Sequence, residues 1–136
     1  MDNKLTNGNL ELISNEEPYW EFIRQIRNHP EIKDGFIKQD IISSADHKKY
    51  MQKYSSYFYL CLYKNSLAGY VGCIENDIRV ATHPDFQGKG VAKFMITEIM
   101  KKHPEAIAKI KVKNEASLRL FQSCGFIKKY YILELE

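Results

Sequence analysis

At 136 residues the chain is long enough for one hydrophobic core and too short for two independently stable ones, so a single domain spanning 1–136 is expected. Apolar residues make up 44% and aromatic ones 12%, which excludes a disordered chain. The net charge of +3, from 20 basic against 17 acidic residues, is too small and dispersed for a nucleic-acid-binding stripe and suits a polyanionic small molecule. Cys61, Cys73 and Cys124 form no C-x-x-C pair, which argues against a disulfide framework or a metal cluster, and no apolar stretch approaches the roughly 18 residues of a membrane span, so a cytoplasmic protein is expected.

Asn9 to Ile13, after Gly8, is a short apolar run suited to an edge strand. Pro18 fits a first helical turn, and Tyr19, Phe22, Ile23 and Ile26 recur at helical steps in an element ending near Asn28-His29-Pro30. Glu31 to Asp40 reads as irregular, with Gly35 as a breaker. Ser43, with Asp46 three residues later, opens a second helix that puts His47, Tyr50, Met51 and Tyr54 on one face. Tyr57 to Tyr63 alternates as a strand, Lys64-Asn65-Ser66 turns, Leu67 to Glu75 is a second strand, Asn76-Asp77 a two-residue turn, and Ile78 to Thr82 a third strand. After a glycine loop, Val91, Ala92, Met95, Ile96, Ile99 and Met100 cover one side of a helix on which Phe94 is a misfit among polar residues. Ala106 to Val112 reads as a strand, Glu115 to Ser123 as a helix closed by Gly125, and Phe126 to Leu135 as a final strand.

The junction from the Ile78 strand through His83-Pro84-Asp85-Phe86 to a helix beginning near Gly90 is the informative one. A strand feeding a glycine turn and then a helix N-terminus aims several unpartnered backbone N–H groups at one point, and phosphate is the natural occupant. Gly88 and Gly90 let the backbone approach an anion, and Lys89 adds a mobile charge. An isolated Gly-x-Gly is also compatible with an ordinary solvated turn. Lys93 stands where a dinucleotide fingerprint needs its third glycine, and the G-x-x-x-x-G-K-[ST] arrangement of a P-loop is absent.

The segment Val80-Ala81-Thr82-His83-Pro84-Asp85-Phe86-Gln87-Gly88-Lys89-Gly90-Val91-Ala92 resembles the acetyl-CoA-binding signature Q/R-x-x-G-x-G/A of the GNAT N-acetyltransferase superfamily, with Gln87, Gly90 and Ala92 filling it. A second block, Asn114 to Phe126, resembles that family's later motif of a strand-end Asn, a helix and Gly-Phe. The resemblance implies an α/β (α+β) GNAT-like fold, with a mixed, mainly antiparallel central sheet and helices on both faces. It implies that backbone groups of Val80, Ala81 and Thr82 pair with the pantetheine arm of acetyl-CoA and that amides of Gln87, Gly88, Lys89, Gly90, Val91, Ala92 and Lys93 hold its pyrophosphate. Asn114 would bond near the pantetheine end, and as a residue it is equally a helix N-cap. The short C-terminus leaves room for one closing strand where the family usually has two.

The implied reaction is direct attack of an amine on the thioester, which needs a base for the amine and an acid for the leaving thiolate. Phe121 stands where the family's tyrosine acid usually does, and Lys109 where some relatives carry a glutamate base. Glu75 and Asp77, flanking the hairpin before the coenzyme strand, and His47, which titrates near neutrality, are the catalytic candidates. Solvated turn carboxylates and a helix-surface histidine are the bland readings of the same residues. His83 reads as a contact to backbone or phosphate, and Ser123 and Cys124 as packed small residues. Arg27-Asn28-His29-Pro30, Ile42-Ser43 and His47 resemble members that acetylate amino-sugar nucleotides, and the same helices form the acceptor wall in relatives that modify protein or peptide amines or antibiotics, so the expected partners are acetyl-CoA and an amine-bearing acceptor, a small one first. A non-catalytic acyl-CoA-binding module and an RNA-binding protein using Lys101-Lys102 and Lys109-Lys111-Lys113 are the alternatives from other classes.

Overall fold

The computed structural model describes residues 8–33, 35–37 and 40–136. Strands β1 (Leu10–Ser14), β2 (Phe58–Tyr63), β3 (Ser66–Ile74) and β4 (Asp77–Thr82) form one sheet in that order, antiparallel throughout. Helices α1 (Trp20–Asn28), α2 (Pro30–Lys33) and α3 (Ser44–Tyr54) lie between β1 and β2 in the chain, and α4 (Val91–Lys102) and α5 (Glu115–Ser123) follow β4. The stretch read as irregular thus contains the short helix α2. Asp34, Lys38 and Gln39 of that stretch lie outside the described residues.

Local chemistry accounts for the boundaries. Ser43 Oγ accepts from the Asp46 amide at 3.1 Å and starts α3 as its spacing implied. Both hairpins turn on two residues with positive φ, Lys64-Asn65 (49° and 68°) and Glu75-Asn76 (52° and 65°). That geometry matches the right-handed twist of the strands and puts asparagine in the second place. The turn expected at Asn76-Asp77 therefore sits one residue earlier, and Asp77 opens β4 opposite Ile74.

Six consecutive residues of β3, Ala68 to Cys73, are buried, because helices cover both faces of the sheet. On one face Ile23, Ile26, Met51, Phe58, Leu60 and Tyr70 form a core beneath α1 and α3. On the other, Val71, Val91, Met95, Ile96 and Ile99 pack with Phe121. Phe94 belongs to this second core and is 8% exposed, so the misfit on the helical wheel is a core side chain. A helix covered by both the sheet and α5 has a wider buried arc than a surface helix. Gly69 sets how closely α4 approaches: a Cβ there would fall 2.6 Å from Ala81 O and 2.9 Å from Met95 Cε.

Two expected strands do not form. Ala106–Val112 makes a single parallel bridge, Ile107 with Asp77. Ile107 N donates to Asn76 O at 2.7 Å, and Ile78 N donates to Ile107 O at 3.0 Å. Beyond that point no ladder continues. Phe126 packs edge-on against Phe121 at 5.1 Å, but residues 127–136 pair with no strand among the described residues, and Tyr131, Leu133 and Leu135 are 91–100% exposed. Alternation makes the segment competent to be a strand, but a strand exists only where a neighbouring edge takes its hydrogen bonds.

Candidate functional site

The loop after β4 is built to leave amides free. His83 Nδ1 accepts from the Asp85 amide at 3.0 Å and caps a 3-10 turn over Pro84–Phe86. His83 also packs between Phe22, at 6.2 Å, and Phe86, at 6.1 Å, so it contacts backbone, one of the two roles expected of it. Gly88 and Gly90 then adopt φ of 79° and 78°, and α4 starts at Val91 without a side-chain cap. The first helical bond is Phe94 N to Gly90 O at 3.1 Å, so the amides of Val91, Ala92 and Lys93 precede any intrahelical acceptor. A Cβ at either glycine would meet nothing within 4 Å, and Val91, Ala92 and Lys93 border open space as well. Helix dipole and amides together suit an anion there.

This loop forms one end of a cleft of ≈ 780 Å³. Its near wall is β4 from Val80 to Thr82, and its far wall is Lys111, Lys113 and Asn114 beyond the Ile107 bridge. Two bonds fix which β4 groups face it. Ile78 N points outward to Ile107 O, and His83 N points inward to Ala68 O at 2.8 Å. By the two-residue period of a strand, the backbone groups of Val80 and Thr82 face the cleft, while those of Ala81 are turned to β3. Thr82 Oγ1 is buried and finds no partner in the protein. Asn114 Oδ1 accepts from Ser117 N at 3.1 Å and caps α5. A Cβ built at Gly35 would lie 3.2 Å from Asn114 Nδ2, so the segment after α2 approaches the far wall there.

Of the expected coenzyme contacts, Val80, Ala81, Thr82, Gln87, Gly88, Gly90, Val91, Ala92, Lys93 and Asn114 all line this cleft. Lys89 does not, its Nζ standing 5.6 Å over the Tyr63 ring. Lys111 and Lys113 do, although the sequence offered them only as part of a cluster for the RNA-binding alternative. With Lys93 they give the cleft a cationic rim.

The catalytic candidates are not brought together. Glu75 is exposed at the hairpin tip. Asp77 sits where the two backbones meet, its Oδ2 held by Arg79 Nε at 3.2 Å. His47 is 2% exposed in α3, with Nε2 2.8 Å from Trp20 O, and lines a separate small pocket with Glu17 and Trp20. Phe121 is buried, and Lys109 is exposed outside the cleft lining. Burial pushes the Cys61 thiol up to about 12 and also raises Cys73, which removes both as nucleophiles.

Burial also pushes the His47 imidazole below its ordinary value, with the Trp20 carbonyl and Glu21 opposing this and Arg27 and Arg24 adding to it. The unfolded chain takes up this proton near about pH 6.5, and the folded protein only at lower pH, so stability falls as pH drops below about 6.5. His47→Gln, which keeps a donor for Trp20, should flatten urea midpoints between about pH 6.5 and about pH 5 relative to the parent.

Among the described residues no helix is long and apolar enough to cross a membrane, and no group of three His, Cys, Asp or Glu side chains gathers as a metal site. A family model described as Acetyltransferase (GNAT) family matches residues 15–126. No curated protein sequence matches. Among solved structures, spermidine N-acetyltransferase from Vibrio cholerae, in complex with CoA and spermine, superposes with a TM-score of 0.81 at 20% identity, covering 95% of this chain and 87% of that one. A putative acetyltransferase from Salmonella typhimurium with acetyl-CoA has a TM-score of 0.73 at 17% identity, with coverage of 88% and 80%. A ribosomal L7/L12 alpha-N-protein acetyltransferase in complex with CoA has a TM-score of 0.67 at 21% identity, with coverage of 85% and 78%.

Proposed function

The chain belongs to the acetyltransferase (GNAT) family and is an acetyl-CoA-dependent N-acetyltransferase, and we propose that it acetylates a primary amine of a small acceptor, an amino-sugar nucleotide, by direct attack in a ternary complex. The observation that carries the reading is the cleft in which the outward backbone of Val80 and Thr82 runs into the open amides of Val91 to Lys93.

The residues present fit the coenzyme. Strand-like pairing of a pantetheine arm needs a free β4 edge, which Val80 and Thr82 supply, and the orphaned Thr82 Oγ1 gains a partner. The amides at the head of α4 match a pyrophosphate, and Lys93, Lys111 and Lys113 match its charge. When bound, the coenzyme presents its acyl group as a thioester. The Val80 N–H is the donor we assign to the thioester oxygen, because it is aimed at the cleft and costs no reorganisation. Asp77 is the candidate carboxylate on the coenzyme strand itself. Its Oδ2 is held by Arg79 and it lies outside the cleft lining, so a water in the cleft would carry the amine proton to it.

Calorimetric titration with acetyl-CoA, with dephospho-CoA and ATP as controls, tests the assignment. Binding selective for acetyl-CoA, followed by acceptor-dependent thiol release, is expected. Equal or absent binding of all three would reduce the loop to a turn.

A further inference from the structure

Across β4 from the coenzyme edge, on the face covered by α1 and α3, two guanidinium groups meet two phenols. The Arg27 guanidinium carbon lies 5.1 Å over the Tyr50 ring, and Arg79 Nη1 is 3.5 Å from Tyr50 Oη. Tyr70 is buried 3% exposed beside them, opposite Ala81 in the β3–β4 ladder, and both arginines act on its phenol. Val80, whose backbone faces the cleft, lies between Arg79 and Ala81 in the strand.

The charges here are not balanced. Asp77 holds Arg79 at 3.2 Å, and on α1 Arg24 is matched by Glu21 at 2.7 Å. Among the described residues no carboxylate lies within ion-pair distance of Arg27, and its Nη1 is buried with no hydrogen-bond partner. A buried, unpartnered edge of a permanent cation is among the most costly arrangements a fold can hold, and such a group is retained where something completes it. The Tyr50 ring covers one face of the guanidinium, so its in-plane donors are what remain, and that fork matches a carboxylate or a phosphate.

The geometry points to an anion-recognition site formed by Arg27, Arg79 and Tyr50, which takes a phosphate or carboxylate of the acceptor and so selects an amine carrying a negative group over a polyamine. It rests on the acyltransferase reading only for where the amine then goes. A polycation would leave the Arg27 edge unpaired and add repulsion from both guanidinium groups. The motif residues that follow Arg27 are spent on structure: Asn28 exchanges two bonds with the Ile42 backbone, both at 2.9 Å, and His29 Nδ1 accepts from Glu31 N.

The test is calorimetry on the full chain with UDP as the phosphate probe, glutarate as the carboxylate probe and spermidine as the cation probe, each with CoA at saturation and again without CoA. UDP or glutarate is expected to bind while spermidine does not, and whichever anion binds more tightly identifies the group. Arg27→Gln should weaken that anion by at least about tenfold, Arg27→Lys by less, and Tyr50→Phe by a few-fold, with CoA affinity unchanged in all three. Spermidine binding tighter than both anions, or anion affinity indifferent to Arg27→Gln in a variant that folds like the parent, would overturn the site. Failure of the parent to bind CoA would count against the acyltransferase reading instead, because the loss caused by Arg27→Gln in the titrations without CoA separates the anion site from the pyrophosphate cradle, which that substitution does not touch.

Discussion

Gly90→Glu should weaken acetyl-CoA binding by at least about 100-fold, equivalent to about 2.7 kcal/mol, while the folded state persists. Gly90 has φ of 78° and precedes α4, and a Cβ there meets no atom within 4 Å. The new side chain therefore enters open space and breaks no packing, and the left-handed backbone costs about 1 kcal/mol of stability. The loss of binding has a separate origin. A carboxylate at that position occupies the space before the Val91 to Lys93 amides, satisfies them itself and repels a pyrophosphate. Gly90→Ala separates the two effects, since it carries the backbone strain without the charge. Calorimetry with circular dichroism on both variants should show Gly90→Ala within about tenfold of the parent; equal losses in the two would assign the effect to backbone strain alone.

How much was legible in the sequence depended on whether a feature is local. The Ser43 cap, the α4 start at Gly90, the Asn114 cap and the β2–β3–β4 meander are each written within a few residues, and each formed as read. The residues expected to hold the coenzyme fall largely in one continuous segment, Val80 to Lys93, most of which lines a single cleft. What failed depended on distant partners. Phe94 looked misplaced because the wheel shows one helix and not the α5 that covers it. His47 looked available because titration near neutrality is a property of the residue, whereas its burial and its bond to Trp20 come from α1. Lys111 and Lys113 were not read as cleft residues because the segment that carries them parts from β4 after one bridge, and a strand pattern does not encode where pairing stops. The Arg27 cluster draws on α1, α3, β3 and β4, and no spacing in the chain connects the four.

Gly69 was passed over for the same reason, and its replacement should have the largest effect on stability. It lies in β3 opposite Thr82, and its backbone has no positive φ to explain a glycine. The explanation is distance: a Cβ would stand 2.6 Å from Ala81 O, which is backbone, and 2.9 Å from Met95 Cε, which is the movable end of a side chain. Gly69→Ala can be met in part by Met95 turning away, but the carbonyl can retreat only if β4 shifts against β3. Gly69→Val adds two methyl groups and removes that escape, so about 3 kcal/mol of destabilisation and a fall in Tm of about 10 °C are expected, with the alanine variant between it and the parent. Because the same contact seats α4, whose first turn presents the amides proposed to bind phosphate, surviving Gly69→Val protein should also bind acetyl-CoA more weakly. Thermal melts with and without acetyl-CoA read both effects: the ligand-induced rise in Tm should shrink along with Tm itself. A lowered Tm with an undiminished ligand shift would mean that the loop keeps its geometry independently of how α4 sits on the sheet.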